Sequence, residues 1–358
     1  MLQPTRQLAD CAARLQRTPL VCLYGALAVA NVAAWVWALW AFGDRPLLLG
    51  TALIAYGLGL RHAVDADHIA AIDAVTRKLR QEGRPPLTLG LYFALGHSTV
   101  VTLAVAGIAA GSAVLRESFE ELRSIGGIVG PCIAALILFA LAISNLIILR
   151  SLWLAFRRLR TGAALAPGEL DRLPQGGGFV SRVLKPVFDR ITRPWHMLPL
   201  GFLFGLSFDT ATEVALLGLS ASQAAHGVSV WSIMVFPALF AAGMTLIDTT
   251  DGVLMVRACD WAYVKPARKL VYNLAITFVS AAVALLVGAI LVLGLVGERL
   301  APSSWFWRAT AALDENLDAM GLAIVALFLS LWIAGMIVWR YADACPGQRP
   351  AERSYSRG

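Results

Sequence analysis

Charge is scarce in this chain. Only 15% of its 358 residues are Asp, Glu, Lys or Arg, against roughly a quarter in an ordinary soluble protein, and 58% are apolar. One soluble core could not hide that much apolar surface, so the bilayer is the expected solvent. Cysteine is scarce too. The five present, Cys11, Cys22, Cys132, Cys259 and Cys345, show no Cys-x-x-Cys spacing, which excludes a disulfide framework and a thiolate zinc site as readings. No Gly-x4-Gly-Lys-Ser/Thr string occurs. No ATP-binding subunit is therefore implied, and energy for work across a membrane has to come from ion gradients or voltage.

What is abundant is apolar sequence in runs of the length that spans hydrocarbon, about 20 residues. Eight such segments are expected, near Leu20 to Phe42, Leu47 to Val75, Leu87 to Gly111, Ile128 to Leu154, Met197 to Ser220, Val228 to Val256, Leu270 to Val296 and Met320 to Tyr341. The first is longer than a signal-peptide core and lacks an obvious small-residue cleavage site, so it is expected to be retained. The fold class is thus an all-α integral membrane protein with eight transmembrane helices. A polar connection at 157–195, with the glycine run Gly176 to Gly178, separates an N-terminal half at 1–156 from a C-terminal half at 196–358 and reads as a flexible cytoplasmic loop.

The formal net charge of +7 does not require nucleic acid. With the N-terminus inside, 24 of the 30 Lys and Arg residues fall on the inner side; Arg45, Arg116, Arg123, Arg299 and Arg308 fall outside, and Arg61 lies within the second span. That asymmetry follows the positive-inside rule for an even number of spans, with both termini cytoplasmic.

Polar residues inside the spans carry the functional signal, because burying them is costly. The second span holds Arg61-His62-Ala63-Val64-Asp65-Ala66-Asp67-His68 and then Asp73. The third holds Gly96-His97-Ser98-Thr99, the fifth Phe208-Asp209-Thr210-Ala211-Thr212-Glu213, and the sixth runs from Gly243 and Met244 through Asp248 to Asp251 and Gly252. Imidazoles mixed with carboxylates suit borderline divalent ions such as nickel, cobalt and zinc, whereas an oxygen-only set would suit magnesium or calcium. On an ideal helix with His62 at zero, Asp65 lies near 300°, His68 near 240° and Asp67 near 140°. Asp67 then either orients a histidine or pairs with Arg61, or the helix unwinds here, as the upstream Gly57 and Gly59 allow. Asp209, Thr212 and Glu213 share one face of the fifth span, and Met244, Asp248 and Asp251 one face of the sixth.

Several of these residues also admit structural readings. Asp73 and Asp251 could pair with Arg61 or cap helix ends. His97 could bridge helices by a hydrogen bond of about 1 kcal/mol. Asn31, alone in the first span, reads as an interhelical hydrogen-bonding residue, and His196 and His226 as solvated residues at span ends. His62-x4-Asp67 also matches the His/Asp pair of membrane acyltransferases, although no phosphate-binding basic motif accompanies it.

The string Arg61 to Ile69 resembles the signature of the NiCoT family of nickel/cobalt transporters, as do Leu95 to Val100, Phe208 to Glu213 and Ala242 to Gly252. The likeness is strongest to the high-affinity nickel permeases that supply hydrogenase and urease. It implies a secondary transporter, not an enzyme, that takes up nickel(II), with cobalt(II) as an alternative cargo, across the cytoplasmic (inner) membrane. It implies a metal-binding His-x4-Asp-His on His62, Asp67 and His68, to which His97 is added here, and it links Asn31 and Val64 with metal preference. Asp65, Asp209, Thr212, Glu213, Asp248 and Asp251 are expected as pathway or coupling groups. No bound cofactor is expected beyond the transported ion, and the partners are that ion and the lipid bilayer. The His-rich cytoplasmic segment usual in related efflux proteins is missing, which favours uptake.

Overall fold

The computed structural model describes residues 3–84, 86–111, 113–161, 191–206, 210–262, 266–300, 304–314 and 316–344. Among the described residues every regular element is helical. In chain order these are α1 (Gln3–Phe42), α2 (Pro46–His62), α3 (Ala66–Gln81), α4 (Leu89–Ala110) and α5 (Ala113–Arg160). A 3-10 turn, Pro194–His196, then leads into α6 (Met197–Gly205), α7 (Ala211–Ala225), α8 (Val230–Ile233), α9 (Val235–Ala262), α10 (Pro266–Leu300), α11 (Trp305–Asp314) and α12 (Leu317–Ala344). Helices are what the bilayer demands, since an open strand would leave its backbone unsatisfied in lipid.

Among the described residues, six helical stretches are long and apolar enough to cross a membrane: Pro19–Phe42, Leu89–Ala110, Gly127–Arg158, Val230–Trp261, Leu270–Gly297 and Ala319–Val338. They coincide with six of the eight expected segments. The second expected segment is a broken pair, α2 and α3, interrupted at Ala63, Val64 and Asp65. The fifth is split between α6 and α7. Of the two readings of the second segment, the unwound one holds, and the ideal-helix angles between His62 and His68 do not apply across the break.

Local sequence explains the ends. Pro46 stands in the first turn of α2, where its missing N–H costs nothing. Gly111 terminates α4 in the left-handed conformation, φ 69°, which a residue with a Cβ adopts only under strain.

The chain forms two compact units. The first comprises Met1–Ala63, Leu87–Gly130 and Pro194–Gly252. Lipid tails are as apolar as leucine, so helix association here relies on close packing, and small residues supply it. Ala38, Ala52 and Ala55 are fully buried with Phe236 and Phe240 of α9, and Phe42 stacks on Phe236 at 5.5 Å. Four glycines let backbones touch. A Cβ on Gly59 would lie 2.1 Å from the Phe240 carbonyl oxygen, and one on Gly90 2.0 Å from that of Asp248. A Cβ on Gly96 would lie 1.9 Å from the Leu198 oxygen, and one on Gly201 2.0 Å from the Phe93 oxygen. These contacts fix α2 and α4 on α9, and α6 on α4.

The second unit comprises Val64–Pro86, Pro131–Arg193 and Val253–Gly358. Here α3 carries Asp73, buried and held by Arg77: the guanidinium Nε donates to both carboxylate oxygens at 3.1 Å, and Ser280 Oγ of α10 donates to Oδ2 at 2.6 Å. Asp73 thus takes the structural role considered for it, with Arg77 rather than Arg61 as the cation. Further along α3, Arg80 pairs with Asp260, while Lys78 and Arg84 donate to the carbonyls of Ile191 and Thr192. A Cβ on Gly321 of α12 would lie 1.5 Å from the Val64 oxygen. The segment just before α3 is therefore seated directly on the α12 backbone.

Candidate metal centre

Within the first unit three side chains from three helices converge. His62 is the last residue of α2, His97 stands mid-way along α4, and Glu213 lies in the first turn of α7. All three are buried, with 1%, 2% and 1% of their surface exposed. His62 Nε2 lies 2.9 Å from His97 Nε2, His97 Nε2 lies 2.8 Å from Glu213 Oε1, and His62 Nε2 lies 3.9 Å from the same oxygen.

These distances decide what the cluster can do. A triangle with those sides has a centre about 2 Å from each corner, and a divalent transition metal binds imidazole nitrogen at roughly 2.0–2.1 Å and carboxylate oxygen at roughly 2.0–2.2 Å. Two nitrogens and one oxygen facing one point also form a mixed donor set suited to nickel, cobalt or zinc. Glu213 gains from its place at a helix start, where the macrodipole favours the anion.

A chain of hydroxyls sets which nitrogen of His62 faces the centre. Thr210 Oγ1 lies 2.9 Å from Glu213 Oε2; an ionised carboxylate only accepts, so Thr210 donates. Its single hydrogen is then spent, and it accepts from Thr212 Oγ1 at 3.3 Å. Thr212 in turn accepts from His62 Nδ1 at 3.0 Å. His62 therefore carries its hydrogen on Nδ1 and presents the Nε2 lone pair to the centre. Glu213, tied down through Oε2, presents Oε1 to the same point. The Phe240 ring, 5.5 Å from the His62 ring, closes one side.

The neighbouring elements explain why the groups meet. The close contact of Gly201 with Phe93 and of Gly96 with Leu198 sets α6 against the turn of α4 that bears His97. A Cβ on Gly205, the last residue of α6, would sit 2.9 Å from the His97 carbonyl oxygen. The chain leaving α6 thus begins at His97, and α7 starts only six residues later.

The other expected residues are placed as follows. Val64, Asp65, Asp67 and His68 belong to the second unit. Asp65 is buried at the N-cap position of α3, and His68 is buried one turn in. Asp67 is half-buried and accepts the His68 amide N–H at 2.9 Å through Oδ1. Asp248 is fully buried on α9 and Asp251 half-buried. Asp209 lies outside the described residues. Asn31 is an interhelical bracket: its Nδ2 donates to the carbonyls of Leu27 and Ala242, and Tyr56 Oη donates to its Oδ1 at 3.0 Å. Ala242 precedes Gly243 and Met244, and Met244 Sδ accepts from Ser98 Oγ, next to His97. His226 is exposed at the end of α7, with Nδ1 donating to the Ser222 carbonyl.

Two features escaped the motif reading. Glu213, expected as a pathway or coupling group, also touches the His97 imidazole directly. Thr210 was quoted but given no role; it is the N-cap residue of α7, and its hydroxyl donates to the Glu213 carboxylate three residues on.

The model of the family described as "High-affinity nickel-transport protein" matches residues 48–338. The chain is 54% identical to the high-affinity nickel transport protein of Cupriavidus necator over 90% of this chain and 92% of that one. It is 52% identical to the hydrogenase nickel incorporation protein HupN of Bradyrhizobium diazoefficiens, over 89% and 83% of the two chains. It is also 36% identical to the cobalt transport protein NhlF of Rhodococcus rhodochrous, over 90% and 93%. No solved structure matches it. With a match across most of its length and relatives covered almost end to end, the chain belongs to the NicO family of high-affinity nickel-transport proteins.

Proposed function

We propose that this protein is a secondary transporter that takes up nickel(II), and cobalt(II) as a second cargo, through the cytoplasmic (inner) membrane. The observation that carries this reading is the triangle of His62 Nε2, His97 Nε2 and Glu213 Oε1, whose centre fits a borderline divalent ion. Relatives named for nickel transport support nickel as cargo, and the one named for cobalt transport supports the second ion. Membership in a family of transport proteins removes the acyltransferase reading of His62 and Asp67: the chain is not an enzyme.

In the proposed mechanism His62 and His97 bind the ion, and His68, six residues beyond His62 across the break, is the third imidazole. Asp67 orients or ligates, and Glu213 joins the donor set. Asp65, Asp209, Thr212, Asp248 and Asp251 line or couple the pathway, and Asn31 and Val64 tune the preference between ions. The protein needs no resident cofactor, nucleic acid or ATP-binding subunit. Eight spans with both termini cytoplasmic, the second broken and the fifth made of α6 and α7, complete the reading.

Transport into vesicles tests it. Purified protein reconstituted into liposomes with an inside-negative potential should accumulate nickel(II), cobalt(II) should compete, and His62→Ala should abolish uptake. Accumulation unchanged in His62→Ala would overturn the assignment.

A further inference from the structure

The second unit carries a groove of about 640 Å³ between the end of α5 and the start of α10, lined by none of the candidate site residues above. Leu146 and Trp153 line it from α5, and Val271, Leu274 and Phe278 from α10, with Arg150 the one charged lining residue. Phe278 is 60% and Trp153 50% exposed, so the groove faces outward instead of closing into the core. Beneath it, Leu152, Ala155 and Leu270 form a small buried core, which fixes the end of α5 against the start of α10.

An apolar groove on a membrane helix pair is solvated by lipid in any case; the charge at one end makes this one selective. Arg150, Trp153 and Arg157 stand at i, i+3 and i+7 and so share one face of α5. On α10, Arg268 and Lys269 are the third and fourth residues. Neither 150–160 nor 266–278 contains an acidic residue. The helix pair therefore offers apolar walls with arginines on the same face of α5 and no acidic residue in either segment, and a tryptophan of the kind that anchors at the headgroup level. We infer that this groove is a binding site for an anionic phospholipid, its acyl chain lying along Leu146, Leu274 and Phe278 and its phosphate facing Arg150 and Arg157.

The test uses the full chain, reconstituted in vesicles of equimolar phosphatidylglycerol and phosphatidylcholine, re-extracted gently and read by native mass spectrometry for retained lipid. Wild type should retain one phosphatidylglycerol in preference to phosphatidylcholine. Arg150→Gln should cut that preference about fivefold, the worth of one basic residue near a membrane surface. Ala275→Trp, which fills the groove and leaves every charge in place, should abolish retention. Equal retention of both lipids by wild type, or undiminished preference in both variants, overturns the site. So does efficient disulfide cross-linking between copies carrying Trp153→Cys or Phe278→Cys, because a second copy of the chain would then occupy the groove.

Discussion

Replacing Thr212 with Val keeps the shape of the side chain but leaves the buried His62 Nδ1–H without its acceptor. The two histidines and Glu213 remain in place, so the expected loss of nickel affinity is about 10- to 100-fold, the usual cost of removing a group that orients a metal ligand. Calorimetric titration of the purified variant with nickel chloride measures it, and an unchanged affinity would show that the hydroxyl chain does not set the tautomer. Thr210→Val should weaken binding through the other end of the same chain, by freeing Glu213 Oε2. Asn31 acts at one remove. It ties α1 and α2 to the Ala242 carbonyl of α9, two residues from where Met244 meets Ser98, so a change of side chain there alters how closely α9 approaches His97.

At the scale of elements, backbone contact between α4 and α6 positions His97. Gly201→Leu places carbon where the Phe93 carbonyl stands, one turn from His97. It should cost about 1–3 kcal/mol of stability by overpacking and weaken nickel binding with it, whereas Gly25→Ala in α1, which meets nothing within 4 Å, should do neither. Thermal unfolding in detergent beside a nickel titration separates the two effects. Much of this level was legible in the sequence. The apolar runs gave six spans to within about five residues at each end, and the intramembrane His and Asp clusters drew attention to α2, α4, α7 and α9. The break at Ala63 to Asp65 was one of two readings, because Gly57 and Gly59 permit it without requiring it. What secures the break in the fold is Gly321, some 250 residues downstream, on which the Val64 carbonyl rests, and no local pattern encodes so distant a contact. For Asp73 the sequence left pairing with Arg61 or helix capping open. Arg77 lies one turn further on in α3, on the same face, and reaches the carboxylate within one helix.

For the whole molecule, the distribution of 24 of 30 basic residues on one side predicts that both termini and the 157–195 connection face the cytoplasm. An engineered cysteine in that connection should resist impermeant maleimide in intact cells and react after lysis; reaction in intact cells would invert the topology. That orientation lets voltage do the work. A divalent ion moving inward through about 100 mV gains roughly 4.6 kcal/mol, enough to sustain an accumulation on the order of a thousandfold. All of this depends on imidazole holding the ion on its way through, and X-ray absorption at the nickel edge of the loaded full-length protein reads that most directly. The expected spectrum shows imidazole scattering from at least two histidines at about 2.0–2.1 Å, reduced by one in His97→Ala. A first shell of oxygen alone, or a spectrum identical in wild type and His97→Ala, would contradict the assignment of His62 and His97 to the metal.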